Sequence, residues 1–327
     1  MVEWLYETGI GENRAALVDQ GVIVEACVEP ENAEPRAGAI ISARLRANRI
    51  AALEDGSEAL LDYVPKGLCE GARMMVEITR EALSETGKPK RAKARPAPLT
   101  SVVGRGPTLL ERITATDIPV RLLSAVMPDA LELAGWSERL EEAQSGETSF
   151  HGGALRISLT PAMTLIDVDG TLDPASLALA GTRAAAAAIR LFGLCGSIGI
   201  DLPTLGGKAE RVACAEAFDA LLPLPFERTA VNGFGLMQVV RPRHRASLCE
   251  LVQSDPAAAA ARALLRRVER SGMTGLVTLV APAAVERIIC AHPHWTDQLA
   301  RILGGAVSLR VDPSLSIAGA YAERSPL

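Results

Sequence analysis

Residues 163–174 read MTLIDVDGTLDP. An apolar run ends in Asp167, Val168 and Asp169, and Gly170 and Thr171 break it. Alternate residues of a strand share a face, so the two acids lie on one side of it. The next stretch, LDPASLALAGTRAAAAAIRLFGL (172–194), reads as one long helix with Asp173 as N-cap and Pro174 in the first turn. GSIGID (196–201) then reads as a short buried strand. Strand, helix and strand form a βαβ unit whose two strands end in Asp167 and Asp201. Where such strands pair directly, their ends sit roughly 5 Å apart.

Two carboxylates so placed suit one hard cation, Mg²⁺ or Mn²⁺ in its stead, which keeps water in its remaining positions. The ion makes such a water more acidic, fit to attack phosphorus, and offsets charge building on phosphoryl oxygens. Asp169 adds a third ligand or holds a water. An Asp before Gly is also a common turn-former or helix cap. Two acids at equivalent ends of one βαβ unit favour the shared site.

The rest of the chain sets the frame. Its 327 residues allow two or three domains, and 48% apolar residues exclude global disorder. A net charge of −5 argues against indiscriminate coating of nucleic acid. Six cysteines without a CxxC spacing read as buried thiols in a reducing compartment. With no basic apolar leader and no run long enough to span a bilayer, the cytoplasm is expected.

Residues 14–29 alternate around Gln20-Gly21 and read as a hairpin. From Gly38 to about Arg80, short alternating segments punctuated by Gly56, Pro65, Gly67 and Gly71 predict a small β-barrel of OB type. The run at 86–98, TGKPKRAKARPAP, carries Lys88, Lys90, Arg91, Lys93 and Arg95. It reads equally as a solvated linker or as a phosphate-contacting edge. Residues 108–147 read as mixed and helical, and 257–322 as a small α/β unit.

Two family resemblances follow. DVDGT (167–171) resembles the signature of haloacid-dehalogenase-like phosphatases, with Asp167 as nucleophile and Asp169 as general acid. The following strand of that family ends in Ser or Thr and an acidic pair comes later; here the strand ends in Asp201 and no adjacent acidic pair follows.

The second covers most of the chain. EWLYETGIGENRAALVDQGVIVEACVE, GAIISARLRAN and EGARMMVEITREALSETGKPKR together resemble the opening of the ribonuclease E/G family, a hairpin before an OB-fold RNA-binding domain. FHGGALRISLTPAMTLIDVDG and GSIGID resemble its two acidic strands, NGFGLMQVVRPRHRASLCELV its basic strand, and the segments from RALLRRVERSG to SLRVDPSLSIAGAY its small domain. The resemblance implies an α/β (α+β overall) fold: an N-terminal hairpin packing on the core (1–37), an OB-like barrel (38–97), a nuclease core with a βαβ unit (98–255, of which 98–150 is a reduced region) and a small α/β domain (256–327).

It further implies a Mg²⁺-dependent endoribonuclease that cuts single-stranded RNA and leaves 5′ phosphates, with an RNA-binding or regulatory paralogue without turnover as the alternative. Asp167 and Asp201 fall where the family holds Mg²⁺, and Asp169 replaces a supporting Asn. Arg241, Arg243 and Arg245 fall on the basic strand, where i, i+2 spacing would line one groove; Lys208 and Arg211 add to that wall. A homodimer through the small domain is allowed. The departures are a missing pocket for the RNA 5′ monophosphate, a missing zinc-link Cys-Pro-x-Cys (so no zinc), and Leu53 and Leu60 where the family stacks bases on aromatics. CAHPH (Cys290, His292, His294) reads as a helix-end turn rather than as metal ligands, and no GxSxG elbow supports a hydrolase triad.

Overall fold

The computed structural model describes residues 1–31, 35–84 and 89–324. Three strands open the chain, β1 (Val2–Gly9), β2 (Glu12–Asp19) and β3 (Val22–Pro30). Gln20 and Gly21 join β2 to β3 with φ of 50° and 84°, the type I′ turn whose twist suits a hairpin. Five strands follow: β4 (Ile40–Arg46), β5 (Ile50–Leu53), β6 (Glu58–Leu61), β7 (Arg73–Arg80) and β8 (Ala92–Ala97). They close into a barrel in the order β4-β5-β6-β8-β7. Ala43, Ala51 and Ala59 alternate inside it with Leu45, Leu61 and Ile78, so small residues make room for large ones.

After α1 (Leu109–Thr114) come β9 (Val120–Leu122), α2 (Ala130–Leu133) and α3 (Trp136–Ser145). Next are β10 (Glu147–Phe150), β11 (Gly153–Leu159), β12 (Thr164–Gly170), α4 (Pro174–Leu191), β13 (Gly196–Asp201), α5 (Lys208–Leu221), β14 (Glu227–Arg228) and β15 (Leu236–Arg241). The chain closes with α6 (Leu248–Ser254), α7 (Pro256–Arg270), β16 (Val277–Ala281), α8 (Ala283–Ala291), α9 (Pro293–Leu303), β17 (Val307–Val311) and β18 (Tyr321–Arg324). No helix among the described residues is long and apolar enough to cross a membrane.

The fold is mixed α/β, and its contacts group it into two units: Met1–Glu31, Asp117–Gln144 and Leu251–Leu327, and Asn32–Thr116 with Ser145–Glu250. The hairpin and residues 117–144, expected with the core, group instead with the C-terminal segment. Pairing accounts for this. β9 adds in parallel to β1, completing a sheet β3-β2-β1-β9, and Ile10 joins Leu264, Leu279, Trp295 and Leu299 in one apolar core.

Buried charge runs through the first unit beside its apolar core. Arg14, only 1% exposed, pairs with Glu7 and reaches Asp129 at 2.7 Å. Arg270 of α7 closes onto the same Glu7. Glu12 accepts from Arg262 at 3.0 Å and from Arg266 at 2.6 Å, all three buried. Burial pushes the Asp129 carboxyl up, but the bond and charge of Arg14 and the charge of Arg270 hold it below its ordinary 3.8. Its stabilising share is therefore complete above that value and lost as pH falls through the depressed one.

The second unit holds the barrel and a six-stranded sheet, β10-β11-β12-β13-β15-β14. α4 starts where the sequence placed it: Asp173 accepts from the Ser176 amide at 3.1 Å and Pro174 fills the first turn. It packs on one face of this sheet so closely that a Cβ on Gly181 would lie 2.3 Å from Val168 Cγ1.

Trp4, Trp136 and Trp295 all lie in the first unit, so tryptophan fluorescence reports on it alone. Glu12→Gln leaves two buried arginines without their counter-ion and is expected to cost about 3–5 kcal/mol in urea denaturation. Glu323→Gln, in an exposed pair with Arg310, is expected to cost under about 1 kcal/mol.

Candidate active site

β12 and β13 run parallel, with Ile166 opposite Ile200 and Asp167 opposite Asp201. β11 runs antiparallel to β12 and sets Arg156 opposite Asp167 and Ala154 opposite Asp169. β10 brings Glu147 opposite Arg156, and β15 brings Leu236 opposite Asp201. One row thus crosses five strands in the order Glu147, Arg156, Asp167, Asp201, Leu236. Asp169 stands beside it, two residues along β12 on the same side.

This side of the sheet is open. Ile157, Ile166, Val168, Ile198 and Ile200 point the other way and are buried, whereas Glu147, Arg156, Asp169 and Asp201 are exposed. Asp167 is half-buried. Burial raises its pKa above the ordinary 3.8, repulsion from Asp169 and Asp201 raises it further, and Arg156 opposes the shift. The carboxylates sense one another, the condition a cation relieves. Leu165, opposite Gly199 one step down the strands, and Leu236, at the end of the row, are each 40% exposed and form an apolar shelf around Gly199.

Among the described residues no group of three or more His, Cys, Asp and Glu side chains is arranged to hold a metal ion. A cation that keeps much of its water needs only one or two carboxylates, and Asp167 and Asp201 are two that face each other across adjacent strands.

The basic residues distribute differently from the expectation. Arg241 lies opposite Gly196 on the helix-covered side of the sheet, and its guanidinium donates to the Leu194 carbonyl at 3.2 Å. β15 stops there because Pro242 has no amide proton to continue the ladder. Arg243 and Arg245 lie beyond its end, paired with Glu250 and, at 3.8 Å, with Glu81. The three arginines do not line one groove beside the acids. Lys208 is exposed at the start of α5, and Arg211 donates to the Leu205 carbonyl at 2.9 Å.

Lys88 lies outside the described residues. Lys90 donates to the Pro161 carbonyl at 3.3 Å, in the turn that precedes β12. Arg91 pairs with Glu58 at 2.9 Å, Arg95 with Glu77 at 2.8 Å, and Lys93 is exposed opposite Leu60 on the barrel's outer surface. Leu53, expected at a base-stacking position, faces the barrel interior. His292 stacks on Trp295 at 4.2 Å between ring centres and caps the turn from α8 to α9, while His294 meets Glu31 at 2.9 Å.

Arg156 and Glu147 are the site residues that sequence reasoning missed. The signal was present: the turn Thr160–Met163, closed by Thr160 Oγ1 donating to the Met163 carbonyl at 2.7 Å, fixes the hairpin register and so puts Arg156 across from Asp167.

No protein-family model matches the chain, and no curated protein matches it.

Replacing Asp201 with Asn removes one of the charges that raise the Asp167 pKa. The Asp167 carboxyl, followed by NMR, is expected to titrate lower in Asp201→Asn than in the parent. An unchanged titration would mean that the two carboxylates do not interact.

Proposed function

We propose that this chain is a Mg²⁺-dependent endoribonuclease of the ribonuclease E/G type, hydrolysing single-stranded RNA to 5′-phosphate ends. The observation that carries the reading is the register of β12 and β13, which aligns Asp167 with Asp201 on the open side of the sheet. The barrel supports it. Its order β4-β5-β6-β8-β7, with β6 and β8 as its parallel pair, is the arrangement expected of an OB-fold.

In this reading Asp167 and Asp201 hold Mg²⁺, for which Mn²⁺ substitutes, and Asp169 orients water beside them. Bound there, the ion supplies a more acidic water and offsets phosphoryl charge. Water adds to phosphorus, the P–O3′ bond breaks, and a proton ends on O3′, giving a 5′ phosphate and a 3′ hydroxyl. Leu165 and Leu236 offer apolar surface to a neighbouring base, and on the barrel Leu60 does the same with the Lys93 cation opposite it for a phosphate. Subunit association through 256–327 belongs to the same reading.

A second reading, RNA binding without turnover, is favoured by the pairing of Arg243 and Arg245 with Glu250 and Glu81 and by the inward Leu53. An AU-rich single-stranded RNA, incubated with Mg²⁺ or chelator, separates the two. The parent is expected to yield 5′-phosphate products only with metal, and Asp167→Asn and Asp201→Asn to cut at least roughly a hundredfold more slowly. Binding by all three proteins without cutting by any would establish the second reading.

A further inference from the structure

We propose that Arg156 holds a nonbridging oxygen of an RNA phosphate at the carboxylate row, a role that rests on the nuclease reading for its chemistry but not for its test. Arg156 is the cation of the row Glu147, Arg156, Asp167, Asp201, one strand spacing from Asp167 and two from Asp201, roughly 5 and 10 Å. Its side chain is 61% exposed on the open side of the sheet.

Its present partners hold it loosely. Glu147 is 3.7 Å from Nε and Asp169 is 4.0 Å from Nη1, both beyond hydrogen-bonding distance. Arg95 shows the contrast, donating to Glu77 at 2.8–3.0 Å through two nitrogens. The planar fork of Arg156 thus has acidic neighbours at ion-pair range but no close hydrogen bond to them, and its geometry matches two oxygens of a phosphate.

The placement answers an electrostatic difficulty. Asp167, Asp169 and Asp201 repel an RNA phosphate, and a divalent ion on two of them only balances those two charges. Arg156 sets a positive charge among the acids and adds a donor on the open side of the sheet, directly opposite Asp167. Charge on the nonbridging oxygens then meets the guanidinium on one side of the row.

The test uses the full chain. RNA affinity is measured in chelator as a function of salt, with a labelled single-stranded oligonucleotide. R156A is expected to lower the slope of log K against log salt by about 0.7, the share of one phosphate contact on a single strand, and R156K to preserve it. With Mg²⁺, R156A is expected to cut with a kcat reduced roughly a hundredfold, partly restored by added guanidinium ion, and R156K to fall between. Mn²⁺ affinity, followed by electron paramagnetic resonance of the free ion, distinguishes mere screening of the acids. If R156A tightens Mn²⁺ while leaving the salt slope and the kcat at saturating metal unchanged, the proposal is overturned. A parent that binds RNA without cutting it ends the nuclease reading, and the salt slope alone then decides for or against the phosphate contact.

Discussion

α4 lies on one side of the central sheet at a distance that only a glycine permits, and this contact fixes the orientation of everything the site contains. Gly181 meets Val168, so the side chains of 164, 166 and 168 are committed to the interior. Strand geometry then leaves 165, 167 and 169 no choice but the open side. A one-residue slip of β12 would bury the two aspartates and expose two branched aliphatics. The hydrophobic side of the strand therefore enforces the position of the acids.

From that constraint the electrostatics follow. Asp169 and Asp201 raise the proton affinity of Asp167, and the sheet tolerates the three acids because Asp201 and Asp169 remain exposed and Arg156 lies alongside. The first unit handles charge in the opposite way. There Glu7, Glu12, Arg14, Arg262 and Arg266 are buried, and each carboxylate lies against arginine.

The arginines at the end of β15 lie away from the acids. Arg241 faces the helix layer and Arg243 and Arg245 serve ion pairs, so the basic contribution on the open side of the sheet comes from β11 instead. Leu236 lies directly opposite Asp201 and Leu165 two residues before Asp167 on the same side, so apolar surface adjoins the carboxylates.

The sequence by itself determined what local rules govern. Asp173 and Pro174 start α4, Gln20 and Gly21 turn the hairpin, and alternation in AIISARL and RMMVEITRE marks barrel strands. The pairing of Asp167 with Asp201 was also legible, because a short βαβ unit leaves its strands little freedom. Tertiary structure alone decided the parity of β15. Whether Arg241 or Val240 faces the acids depends on how an antiparallel strand docks against β13, and LMQVVRPRHR presents no periodicity strong enough to settle it. It also decided which segments share a core, since β9 finds β1 across more than a hundred residues through backbone pairing that no local pattern encodes. Turns and caps are short-range interactions written into neighbouring residues; register between distant strands is a competition among packings, and only the folded chain resolves it.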